Sequence, residues 1–199
     1  MAASMPVTNN PDANKLLVSD PLALLIGMLL DQQVPMEWAF AGPLTLKERL
    51  GGTLDATAIA AMAPEELEAL FTQKPALHRY PGSMAGRTHE LCTFIAERYD
   101  GDAGKVWKGV RSGDELFRRV RELPGYGEQK AKILVAILAK RLGKAPAGWE
   151  EAATPYGDDQ PRSVADVDGP GALERVRAFK QAQKQAAKDA KASTRGARA

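Results

Sequence analysis

The chain has 199 residues, 44% of them hydrophobic and 26% charged, enough apolar material for one cored domain or a compact bilobed one. Aromatic residues make up 6% and alanine is abundant, which favours helices over a β-sandwich. The formal charge of +2 does not by itself call for nucleic acid, and the single cysteine, Cys92, excludes an internal disulfide, a cysteine-ligated iron–sulfur cluster and a zinc finger.

The charge is unevenly spread. Lys180, Lys184, Lys188, Lys191, Arg195 and Arg198 stand against Asp189 alone, so residues 180–199 carry +5 and the remainder −3. A near-neutral body with a basic tail is expected, the tail raising non-specific DNA affinity by counterion release. The lone thiol suits a reducing compartment, so a cytoplasmic location is expected, nucleoid-associated if the source is bacterial. The longest apolar run, Pro21 to Leu30, falls short of the ~20 residues a membrane helix needs, and no basic region precedes an apolar stretch at the N-terminus. Neither a membrane span nor a secretory signal is expected.

In chain order, residues 1–15 are polar, hold two prolines and read as a flexible arm. Asp20-Pro21 supplies an N-cap acceptor followed by proline at the first helical position, and the run LALLIGMLL is apolar all round, as in a central buried helix. It ends at Asp31-Gln32-Gln33, before Pro35. Short helices are expected over Met36–Ala41, Thr45–Leu50, Asp55–Met62 and Pro64–Phe71, and a longer one over Met84–Tyr99 with Leu91, Phe94 and Ile95 on one face. An amphipathic helix over Asp114–Glu122 follows a Gly/Asp-rich turn. No segment alternates like a strand, so the fold class is all-α. Pro146–Gly171 is irregular and acidic, and the last helix, from Ala172, runs out of apolar residues after Phe179; residues 180–199 have nothing to bury and are expected to be disordered.

The most informative segment is Leu123-Pro-Gly-Tyr-Gly127 with EQKAKILVAILAKRLG after it. One helix ends at Leu123-Pro124 and the next starts near Glu128, with Ala131, Leu134, Leu138 and Leu142 on its buried face. Gly125 and Gly127 permit positive φ and close approach of a ligand. Their amides and the free amides of a helix start converge on one point, which makes an anion site that suits DNA phosphate. Lys130 and Lys132 add positive charge on the same turn. Such a hairpin holds backbone without reading bases. Tyr126, at its tip, either packs between the helices or meets a DNA sugar.

Three features in this order resemble the helix-hairpin-helix (HhH-GPD) superfamily of base-excision DNA glycosylases. They are the buried helix ending in glutamines, Pro21-LALLIGMLLDQQV-Pro35; the arginine-containing segment Pro81-GSMAGRTHEL; and the hairpin Leu123-PGYGEQKA. The resemblance implies an all-α glycosylase-like fold over residues 16–179, with the helix-hairpin-helix at 114–142 and two lobes around a DNA cleft. It implies cleavage of an N-glycosidic bond after the base is flipped from the stack. In the family a glutamine at the end of the first conserved helix fills the vacated space; Gln33 matches that place, with Gln32 next. The expected partner is double-stranded DNA, held mainly by its phosphates, with the protein a monomer. No cofactor is implied beyond a monovalent cation that hairpin carbonyls often hold in the family.

The sequence departs from the family pattern twice. Bifunctional members carry a lysine two positions past the second hairpin glycine, where its amine attacks the sugar; that position is Gln129. Lys130 is adjacent, but one helical residue turns a side chain by about 100°. A monofunctional enzyme is therefore expected, with Lys130 on phosphate or solvent unless it acts as the nucleophile. The family's aspartate, which stabilises developing sugar charge or activates water, falls by count near Ala147-Gly148-Trp149, where there is none. Glu150 and Glu151 are the nearest carboxylates and the first candidates for that role. The rival reading is a catalytically inactive protein of the same fold that binds DNA or lesions. Trp38 is a candidate to stack on an extruded base or to pack in the core, and His78 and His89 lack the spacing of a zinc site.

Overall fold

The computed structural model describes residues 5–196, with side chains to residue 190. Among the described residues there are ten α-helices and no strand: α1 Pro11–Ser19, α2 Pro21–Leu30, α3 Met36–Arg49, α4 Ala56–Ala60, α5 Pro64–Thr72, α6 Pro81–Tyr99, α7 Gly113–Arg121, α8 Glu128–Leu142, α9 Trp149–Ala152 and α10 Ala172–Gly196. The all-α expectation holds. No single helix among them is long and apolar enough to cross a membrane.

Helix α2 is the axis of the core. Asp20 Oδ1 accepts from the amides of Leu22 and Ala23 at 2.9 and 3.2 Å, and Pro21 occupies the first helical position. Every residue from Leu22 to Leu30 is buried, as its unbroken apolar run requires. Helix α3 crosses it closely. A Cβ on Gly27 would sit 2.9 Å from Phe40 Cδ1, and one on Gly42 would sit 2.7 Å from Leu30 Cδ1, so two glycines let these helices approach. Sequence signals divide α3 into two short helices, yet it is one, running through Pro43. Burial of Ala39, Phe40, Gly42, Pro43 and Leu46 offsets the backbone hydrogen bond that the proline forgoes.

The ends of the chain also differ from expectation. Residues 5–15 are not a loose arm: Met5 and Val7 are buried, Asn10 Oδ1 caps α1 through Asp12 and Ala13, and Leu16 and Leu17 enter the core. At the other end, helix α10 continues through residue 180 to Gly196, where disorder was expected. Its residues 181–190 are all exposed, so alanine-rich helix propensity extends it, not burial. Residues 197–199 lie outside the described residues.

The hairpin between α7 and α8 docks on α2. Tyr126 is buried and its hydroxyl donates to the Leu25 carbonyl at 2.7 Å, so it packs between the helices and its ring is not available to a DNA sugar. Burial pushes that phenol well above its ordinary range. Gly125 has φ 80°, and a Cβ there would overlap Leu29 Cδ1. Gly127 has φ −69°, so it needs no special conformation; what it leaves is open space above the start of α8.

Two substitutions test this docking by urea denaturation. Tyr126→Phe should cost about 1 kcal/mol through the lost hydrogen bond, with the m-value unchanged. Gly125→Ala should cost more, about 1–3 kcal/mol, because strain at positive φ adds to the overlap with Leu29. Equal stability in both variants would mean that the hairpin does not rest on α2 in this way.

Candidate nucleic-acid interface

The C-terminus of α2 collects the side chains that matter. Helices end with carbonyls that have no intrahelical partner. Two of these, on Met28 and Leu29, each accept from Lys130 Nζ at 2.7 Å. Lys130 therefore caps α2 and is only partly exposed, its amine turned to the helix end. Burial lowers its amine to about 8, opposed by Asp31 and aided by Arg87. Through this contact and Tyr126, the glutamine end of α2 and the start of α8 touch each other and do not face one another across a gap.

The two glutamines part company. Gln32 turns inward: its Nε2 donates to the Leu29 carbonyl at 2.8 Å and lies 3.4 Å from Met84 Sδ, while its Oε1 accepts from Arg87 Nη1 at 3.0 Å. Gln33 is exposed and left-handed, with φ 57°, an uncommon conformation for a residue with a Cβ. It is the glutamine that reaches outward.

Beside them sits an aromatic cluster that sequence reasoning missed in part. His78 is buried; its Nδ1 accepts from the Tyr80 amide at 3.0 Å, which leaves the Nε2 hydrogen for the Gln32 carbonyl, also at 3.0 Å. Trp38 is 41% exposed and Tyr80 44%, flanking His78 at ring distances of 6.3 and 6.1 Å. Trp38 is thus a surface residue, not core, anchored by its indole N–H on the Ala76 carbonyl at 3.2 Å. Nothing in the sequence pattern marks Tyr80 or His78 beyond their place before Pro81.

Two helix starts next to these residues lack a side-chain cap, α3 after Pro35 and α8 after Gly127, whereas at the start of α6 the Glu68 carboxylate lies against Gly82. The unpaired amides and dipoles of α3 and α8 make this surface attractive to anions. The side chains on the first turn of α8 contribute less than expected. Gln129 Nε2 donates to the Tyr156 hydroxyl at 2.9 Å, and Lys132 is paired with Glu128 at 2.7 Å. Arg121 donates to the Tyr126 carbonyl at 3.3 Å. That guanidinium brings a fixed positive charge to the hairpin carbonyls, so the residues present do not fit a monovalent cation there.

Glu150 and Glu151 lie elsewhere. Both are exposed on α9, in a shallow hollow with Asp114 and Pro146. Glu150 also borders Lys140 and Arg141, on the last turn of α8. Lys140 lies twelve residues along α8 from Glu128, about 18 Å from the hairpin end. Among the described residues neither carboxylate bonds to a glutamine of α2 or to the hairpin; their segment reaches the first turn of α8 only through Tyr156 and Gln129. Asp166, farther along the same segment, is committed to a half-buried ion pair with Lys140 at 2.7 Å. Two carboxylates do stand near the glutamine end: Glu37 on the first turn of α3, paired with Arg177, and Asp31, the C-cap of α2. Burial raises Asp31, while Lys180 on α10 and Lys130 lower it. The sequence held a signal for it, since an acid at a helix C-terminus opposes the dipole.

The Lys130 amine carries a testable pH dependence. The folded protein holds this proton less tightly than the unfolded chain, so the unfolded chain binds more protons between about pH 8 and 10.5. The stability linked to this amine is absent below that window and grows as pH rises through it. After reductive methylation with isotopic formaldehyde, one lysine resonance should titrate near pH 8, ahead of the rest, and vanish in Lys130→Arg. Uniform titration of all lysines would show that Lys130 is solvated.

No curated protein and no solved structure matches the chain. The profile described as "HhH-GPD superfamily base excision DNA repair protein" matches residues 26–195, a span that holds α3 to α9 and nearly all of α10, with the second half of α2. With the all-α architecture and a helix-hairpin-helix docked on the glutamine helix, the chain belongs to the HhH-GPD superfamily of base-excision DNA repair proteins.

Proposed function

We propose that the protein is a monofunctional DNA glycosylase that hydrolyses the N-glycosidic bond of a damaged or mismatched base in double-stranded DNA, acting as a monomer. One observation carries the monofunctional part. The position where a nucleophilic lysine would stand is Gln129, bonded to Tyr156, and the neighbouring Lys130 amine is engaged by the Met28 and Leu29 carbonyls. An amine held there is not free to attack the sugar, so water is the nucleophile.

The remaining parts follow from the surface. Phosphate docks on the open amides at Gly127–Gln129, with Gly127 leaving room for it. Gln33 enters the space that the extruded base vacates. Trp38 and Tyr80 offer exposed rings on which a flipped base stacks. The rival reading, a protein that binds lesions without cutting, is favoured by one observation: no aspartate follows the hairpin where the family carries one.

A panel of duplexes, each with one lesion, decides between them when strand scission is read with and without alkali. Cleavage of a lesion strand only after alkali is the expected result, retained in Glu150→Gln and Glu151→Gln. Cleavage without alkali would mean that Lys130 forms a Schiff base, and binding without cleavage across the panel would establish the rival. In the same duplexes, Trp38→Ala should weaken lesion binding by about tenfold or more, with binding to undamaged duplex little changed.

A further inference from the structure

Asp31 is an uncommon acid. It closes α2 at the negative end of the helix dipole, where a carboxylate is disfavoured. It is only partly exposed, yet among the described residues no donor hydrogen-bonds its carboxylate and no cation lies within ion-pair distance. Two ammonium groups, on Lys180 and Lys130, act on it from farther off. Lys130 is engaged by the carbonyls two and three residues before Asp31 and not by its carboxylate. The acid stands two residues before the outward Gln33, at the end of α2.

We propose that Asp31 is the catalytic carboxylate of this chain, doing from the end of the glutamine helix what the family's aspartate does from beyond the hairpin. The assignment rests on the glycosylase reading above and deepens it. As the N-glycosidic bond breaks, the base leaves with the bonding pair and takes up a proton from solvent. Positive charge develops on the sugar and faces the Asp31 carboxylate. Water adds its oxygen to the anomeric carbon, and its proton passes to Asp31, which then returns it to solvent. The burial that raises this acid also suits it to accept a proton.

A binding test needs no knowledge of the lesion. Two duplexes are compared, one with a neutral tetrahydrofuran abasic site and one with a cationic pyrrolidine in its place, which mimics the charge of the reacting sugar. The wild-type protein should prefer the cationic duplex by about tenfold or more, and Asp31→Asn should bind both alike. Asp31→Ser, measured the same way, provides an independent comparison should the amide perturb the helix end. A preference retained in both variants would overturn the assignment. Equal wild-type binding to both duplexes would also overturn it, yet leave the DNA-binding reading intact. Failure of the wild-type protein to bind either duplex would remove that reading, and the assignment with it.

Discussion

The organisation of this surface depends on one contact: the Lys130 ammonium set between the last carbonyls of α2. Helix ends need partners, and those available near α2 are few, because its flanks are apolar and buried. By supplying the partner from the first turn of α8, the chain joins the glutamine helix to the hairpin. Tyr126 adds a second tie one turn back along α2, through the Leu25 carbonyl. Together they fix the distance between the outward glutamine and the open amides at Gly127.

This joint also explains how the site departs from the wider family pattern. An amine that caps a helix is poorly suited to attack a sugar, and Gln129 beside it is occupied by Tyr156. The segment after α8, which would carry the aspartate, instead forms a short helix and a turn held by the Lys140–Asp166 and Arg162–Asp158 pairs. That segment packs along α8, pairing with Lys140 on its last turn and reaching Gln129 on its first through Tyr156. An acid near the glutamines is Asp31, on which Lys180 and then Lys130 act from beyond ion-pair distance.

Much of this was legible in the sequence. Pro21–Leu30 appeared as a central helix because its apolar run and Asp20-Pro21 start are local signals. The hairpin was legible for the same reason, through Leu123-Pro-Gly-Tyr-Gly127. Pro43 within α3 misled, because a proline's local cost was overridden by burial against α2. The N-terminal segment misled too: Met5 and Val7 are isolated apolar residues whose burial depends on distant partners. At the site, spacing along the chain led to Glu150 and Glu151, whereas the docking of the hairpin on α2 brings Lys130 to Asp31. Contacts spanning about a hundred residues, such as Lys130 to Met28 and Tyr126 to Leu25, leave no periodic trace. The same holds for His78 and Gln32, joined across 46 residues.

The central claim is that DNA is held where α2 and the hairpin meet. Hydrogen–deuterium exchange with and without a duplex carrying the tetrahydrofuran abasic site tests it most directly, since the first amides of α8 lack protein acceptors and exchange fast when free. The account predicts slowed exchange on binding over residues 31–38 and 125–131, with residues 149–159 unchanged. Protection confined to 149–159, with the hairpin amides still exchanging freely, would contradict it.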